Sequence, residues 1–216
     1  MKHAAVGFRV HSGWTAMVAL AIAKGSPAVL VRRRVNLVQT FTYEFRQPYH
    51  TAEKLPPEGG RVFVARVRSE ARRLALRAIR ELKAELGEQG YSLAGFGLLL
   101  ASGRPLPTLE KILAAHSLIH TADGELFREA LLHAAARSGL KPMAVKEREL
   151  MDSASRGLRR KPADLAERIS DLGRPMGPPW SQDEKFASLL AWLAASSRPS
   201  TSRSSTSASS IVREAR

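Results

Sequence analysis

The sequence predicts an α/β domain: a mixed five-stranded sheet with helices on both faces, in the element order βββαβαβα. Three observations predict it. Val6 to Val10 and Trp14 to Ala23 are short apolar runs around the polar turn His11-Ser12-Gly13, a hairpin signature. From Arg66 the period changes, and Ala71, Leu74, Ala75, Ala78, Ile79, Leu82 and Leu86 recur at helical spacing. Leu93 to Ala101 is then a short apolar run bounded by turn residues, the pattern of a buried strand. Sequential strands followed by alternating helices and strands build a mixed sheet covered by helices.

The remaining elements follow in order. Gly25-Ser26-Pro27 is a turn, and Ala28 to Val38 reads as a third strand interrupted by Arg32-Arg33-Arg34. Residues 41–60, rich in aromatics, Pro and Gly, read as a loop; within it Phe41, Tyr43, Phe45 and Tyr49 interleave with Arg46 as stacking platforms for single strands, although the alternation of Phe41, Tyr43 and Phe45 suits one buried face of a strand and that reading is preferred. Gly87 and Gly90 end the long helix. Ser102-Gly103-Arg104-Pro105 opens a loop after the buried strand, where open sheets often keep a ligand crevice, although a solvated turn is preferred. Thr108 to His120 is helical, and Asp123 is placed to cap a further helix carrying Leu126, Phe127, Ala130, Leu131 and Ala134. Lys141 to Arg148 reads as an edge strand, because Pro142 has no ladder donor. Asp164 to Leu172 and Ser181 to Ala195 are helices separated by a Pro/Gly loop. The domain is expected to span 1–195, with 196–216 a disordered Ser/Arg-rich tail.

Composition bounds the function. The chain has 216 residues, 44% hydrophobic and 25% charged, enough for one sizeable core. It has no cysteine, which excludes disulfides, thiolate metal sites and cysteine nucleophiles, and fits a reducing compartment; the expected location is the cytoplasm. No apolar run approaches the roughly 20 residues that span a bilayer, so no membrane partner is expected. Arg9 and His11 break the N-terminal apolar run, so no signal peptide is expected either. The formal charge of +14 favours a polyanion, chiefly nucleic acid, unless the arginine content only reflects a GC-rich genome. The positions expected to meet nucleic acid are Arg9, Arg32, Arg33, Arg34, Arg72, Arg73, Arg77, Arg80, Arg159, Arg160 and Lys161. No Gly-rich phosphate loop or nucleophile elbow is present, no cofactor is implied, and the sequence does not fix an oligomeric state.

Four stretches carry a resemblance. They are VGFRVHSGWTAMVAL (6–20), LAGFGLLLASG (93–103), HTADGELFREALLHAAARSGL (120–140) and WSQDEKFASLLAWLA (180–194). Their order resembles the ribonuclease H-like superfamily, in its bacterial Holliday-junction resolvase branch, over roughly residues 4 to 195. That branch implies a first strand entering a Gly-x-Asp-x-Gly turn, a buried strand ending in Glu, and a last helix with two acids one turn apart. Together these carboxylates hold two metal ions that stabilise the attacking and leaving oxygens. Here the first acid falls at Arg9 and the second near Leu100 or Ala101. On the last helix Asp183 occupies one acidic place with Glu184 beside it, while the other place falls at Phe186. The resemblance therefore implies the fold without the usual nuclease site. Glu147 and Glu44 stand as possible substitutes, and a divergent hydrolase would rest on Asp183, Glu184 and Glu147.

Two smaller constellations remain. His116 and His120 share a helix face with Glu125 nearby, a spacing that can bind zinc. A satisfied, half-buried histidine pair is the preferred reading, because Ile112, Leu113 and Ile119 share that face. Arg9 with His11-Ser12-Gly13 can hold a phosphate, or be a plain hairpin turn. The expectation is a non-catalytic nucleic-acid-binding protein, with a divergent metal-dependent phosphodiester hydrolase or a protein-interaction module as alternatives.

Overall fold

The strands β1 (Lys2–His11), β2 (Trp14–Ala23) and β3 (Ser26–Asn36) form an antiparallel meander, and β4 (Tyr91–Leu100) and β5 (Pro142–Lys146) join it in parallel. The sheet order is β3-β2-β1-β4-β5 in this computed structural model, which describes residues 1–100 and 105–197. The mixed five-stranded sheet with helices on both faces is the arrangement expected. The segment Ser102-Gly103-Arg104 and the tail from 198 onward lie outside the described residues.

The first hairpin closes on Ser12-Gly13, with Gly13 at φ 84°, a left-handed conformation that only glycine adopts without strain. Alternation then sorts β1. Val6, Phe8 and Val10 face a layer made by α3 (Pro57–Glu88) and α5 (His116–Arg137). The opposite face of the sheet carries α8 (Gln182–Ser196), with α6 (Leu150–Leu158) and α7 (Pro162–Asp171) packed behind it.

The bed for α8 is made of small residues. Gly7 on β1 and Gly97 on β4 are register partners, and Gly95 lies opposite Ala5. A Cβ at Gly7 would overlap the Ala187 carbonyl, and one at Gly97 would stand 2.8 Å from the Leu190 carbonyl. The helix backbone thus rests directly on the sheet, and its first turn is held over the carboxyl ends of β1, β4 and β5. That turn is fixed by a capping box: the Ser181 hydroxyl accepts from the Asp183 N–H, and Glu184 accepts from the Ser181 N–H at 2.8 Å.

Several elements differ from the sequence reading. Residues 41–60 are not a loop but hold α1 (Tyr43–Arg46), α2 (Pro48–Ala52) and the start of α3. Their prolines begin helices at the first position, where a missing N–H costs nothing. Phe41 and Tyr43 are exposed rather than lining a buried strand face, and only Phe45 packs on the core. Asp123 caps no helix. It lies in the interior of α5, which starts at His116 after the short α4 (Leu109–Leu113). Helix α6 forms where the sequence predicts no element. Among the described residues no helix is long and apolar enough to cross a membrane.

Candidate nucleic-acid interface

The carboxyl ends of the parallel strands and the first turn of α8 bound one crevice, and Arg9 lies at its centre. Arg9 leaves β1 on the α8 side, two residues before His11. Its Nη2 donates to Glu147 Oε1 at 3.2 Å, from the turn just after β5. Its Nε lies 3.2 Å from Asp183 Oδ1, a charge contact without hydrogen-bond geometry. Asp183 also meets His11 Nε2 at 2.9 Å. The Arg9 guanidinium stands over the Phe186 ring, 5.5 Å from its centroid. The side chains of Arg9 and Asp183 are only 21% and 22% exposed, against 50% for Glu147.

A second guanidinium feels the charge of this cluster. Arg128 of α5 pairs with Glu125 at 3.2 Å. Burial, foremost, pushes Arg128 below its ordinary value, and the charge of Arg9 adds to this while Glu125 and Glu147 oppose it. The sequence thus names the three residues that meet here, Arg9, Glu147 and Asp183, but not that they pair. Glu184 is turned back into the helix cap and takes no part. Leu100 packs against the opposite core, and Ala101 lies outside the described residues.

Beside this crevice runs a ladder of rings and cations. His11 stacks on Trp14 with centroids 4.4 Å apart and planes at 10°. The exposed Arg34 guanidinium lies over Trp14 at 4.1 Å and over Phe41 at 5.1 Å. Arg46 lies over Phe41 at 4.8 Å. The register explains the order: His11 pairs with Trp14 across the hairpin, and β3 brings Arg34 to the other side of β2. Phe41 and Tyr43 are 39% and 52% exposed, so the rings offer faces to solvent. Among the described residues no carboxylate pairs with Arg34 or Arg46.

The expected basic positions do not form one surface. Period-2 alternation splits the run Arg32-Arg33-Arg34, sending Arg33 to Glu85 of α3 at 2.7 Å and the other two to the α8 side. Arg32 donates to the carbonyls of Gly177 and Pro179. Arg72 is held by both oxygens of Glu129, a bond that raises its pKa. Arg77 pairs with Glu81 at 2.7 Å, and Arg73 reaches Gln39. Arg80 lies on the same long helix, exposed. Arg159, Arg160 and Lys161 form the link between α6 and α7, remote from the ladder in sequence, with Arg160 over Trp192.

The histidine pair also differs from expectation. His116 and His120 are exposed, not half-buried, and their Nε2 atoms lie 3.0 Å apart. Glu125 is not their third partner, because it is taken by Arg128. His50 of α2 is, with one ring nitrogen of each of the three within 4.8 Å of the others. His50 is buried, and its Nδ1 meets Asp123 Oδ2 at 2.5 Å, while Asp123 Oδ1 accepts from the Tyr49 N–H at 2.7 Å. Burial, foremost, holds the Asp123 carboxyl above its usual range, against the lowering effect of these partners. No spacing in the sequence links His50 to residues some seventy positions away.

No family model matches the sequence, and no curated protein matches it. Among solved structures the chain is similar to Thermus thermophilus RuvC in complex with Holliday junction substrate, at 10% identity over 88% of this chain and 91% of that one, TM-score 0.48. It is also similar to a Thermus thermophilus RuvC structure, at 12% identity over 88% and 92% of the two chains, TM-score 0.46. An Aquifex aeolicus member of the Ppx/GppA family gives 10% identity over 71% of this chain and 38% of that one, TM-score 0.35. The likeness is one of fold.

Proposed function

We propose that this chain is a ribonuclease H-like protein that binds nucleic acid without cleaving it, using the cation–aromatic ladder beside a crevice closed by an arginine. The observation that carries the reading is the Arg9 guanidinium, 3.2 Å from both Glu147 and Asp183. Two-metal hydrolysis needs carboxylates free to hold divalent ions. Here a fixed cation already stands between the two acids, and a metal approaching them meets Arg9 at close range. The ladder supplies what single-stranded nucleic acid needs: the exposed rings of Phe41 and Tyr43 for stacking, and Arg34 and Arg46 as cations for phosphate. The net charge of +14 supports attraction at long range.

The test is binding of the nuclease-free protein to labelled single- and double-stranded DNA and RNA across a salt series, with and without Mn²⁺. The expected result is binding that weakens steeply with salt, prefers single strands, and leaves them intact. Absence of binding at low salt overturns the reading and turns the search toward protein partners. The convergence of Asp183 and Glu147 favours one other reading, a divergent phosphodiester hydrolase. Its mark is Mn²⁺-dependent cleavage abolished by Asp183→Ala.

A further inference from the structure

We propose that His50, His116 and His120 bind one zinc ion, with Asp123 as the group that orients His50. The site is independent of the arginine crevice and of any nucleic-acid role. The fold converges on it from two elements. His116, His120 and Asp123 fall at positions i, i+4 and i+7 of α5, along one stripe of the helix. Helix α2 packs against that stripe and delivers His50. The His50 ring lies 4.4 Å from His120 and 5.4 Å from His116, centroid to centroid.

The donor set fits the ion. Imidazole nitrogen is a common zinc ligand, and Zn–N bonds of about 2.0–2.1 Å in a tetrahedron place ligand nitrogens roughly 3.3 Å apart. The Nε2 atoms of His116 and His120 are 3.0 Å apart, so this pair needs only a small opening to share a metal. Without a metal, one ring must donate to the other. With one, both lone pairs turn inward to the ion. His50 completes the set through Nε2, because its Nδ1 is committed to Asp123. A carboxylate on the far nitrogen of a ligating histidine fixes the tautomer and strengthens the donor. Asp123 is itself held by the Tyr49 N–H, so the chain of orientation runs from backbone to carboxylate to ring. The start of α5 carries a partial positive charge that opposes a cation. That opposition is weak and local, and three imidazoles directed at one point outweigh it. Three histidines leave a fourth position, on the side where His116 and His120 are exposed, for water or an external ligand.

The test uses the full chain, dialysed against chelator and then titrated with Zn²⁺ or Co²⁺ in competition with a chromophoric chelator. One ion per chain is expected, and the Co²⁺ form is expected to show visible absorption of tetrahedral intensity. Zn²⁺ is expected to raise Tm, as any ligand of the native state does. Asp123→Asn should weaken binding by about 10–100-fold, the usual effect of losing an orienting partner. His116→Gln and His120→Gln should each weaken it further than that, with the circular dichroism unchanged because both side chains are exposed. His3→Gln and His133→Gln should leave it as it was. The proposal is overturned if the chain takes up no stoichiometric ion, or if uptake survives the double substitution at His116 and His120.

Discussion

Replacing Arg9 with Met separates the charge of the crevice cluster from its packing. Met keeps an unbranched stem against Phe186 and removes the cation facing Glu147 and Asp183. The magnitude follows from exposure. Breaking a fully buried pair costs about 3–5 kcal/mol, whereas an exposed pair is worth about 0.2–1 kcal/mol. Arg9 and Asp183 are 21% and 22% exposed, so their contact falls between these limits. Glu147, half exposed, adds little. His11 remains at 2.9 Å from Asp183 and softens the loss. The net expectation is a destabilisation of about 2 kcal/mol, which for a chain of this size lowers Tm by about 4–8 °C. Urea unfolding followed by tryptophan fluorescence measures it, with Asp183→Asn and the double variant completing a cycle. A coupling energy of about 1–2 kcal/mol is expected between the two sites. If Arg9→Met is as stable as the parent, or the coupling is zero, the cluster is an incidental surface contact and the argument built on it fails.

Three further outcomes are expected. Arg9→Asp places a third carboxylate among Asp183 and Glu147, and the variant should bind Mn²⁺ by electron paramagnetic resonance at concentrations where Arg9→Met does not. Phe41→Ala should lower single-strand affinity by about 1–3 kcal/mol in a binding titration, whereas Arg72→Ala, whose charge is already held by Glu129, should change affinity little and stability by no more than about 1 kcal/mol. Gly7→Ala should cost about 3 kcal/mol in urea unfolding, because the added methyl meets the α8 backbone and not a movable side chain; Gly87→Ala, with nothing within 4 Å, should stabilise α3 by about 0.5–1 kcal/mol.

What the sequence made legible was local order. The hairpin, the buried strand β4 and the last helix each carry their own period and their own turn residues, so each can be read without its neighbours. What it hid was set by tertiary contact. Helix α6 carries an apolar stripe of Leu150, Met151, Ala154 and Leu158, but its nine residues are shorter than the window over which helical periodicity is read. Asp123 looks like a cap because its type favours caps, yet it is tolerated inside α5 because the Tyr49 N–H and His50 satisfy it in the interior. The alternation Phe41, Tyr43, Phe45 imitates a strand, but the segment pairs with none of the described strands and turns helical at Tyr43. The run Arg32-Arg33-Arg34 looks like a basic patch, and a strand necessarily divides such a run between two faces.

Arg9 and Phe186 make sense of each other. An apolar ring one turn into α8 is of no use beside a hydrated ion, but it gives a guanidinium a face to lie on. A guanidinium at the end of β1 repels a metal, but it satisfies Asp183 and Glu147 together. Arg9, Phe186, Asp183 and Glu147 therefore form one ion cluster. This has a consequence for where a polyanion binds. Around Arg9 stand two carboxylates, Glu147 and Asp183, so the crevice offers phosphate no surplus of positive charge. The surplus lies one step away along the hairpin, at Arg34 and Arg46, where the cations rest on aromatic faces and are paired to no described carboxylate. Nucleic acid bound by this protein should accordingly follow β2, β3 and the exposed Phe41, and protect Arg34 and Arg46 from arginine-modifying reagents while leaving Arg9 unaffected.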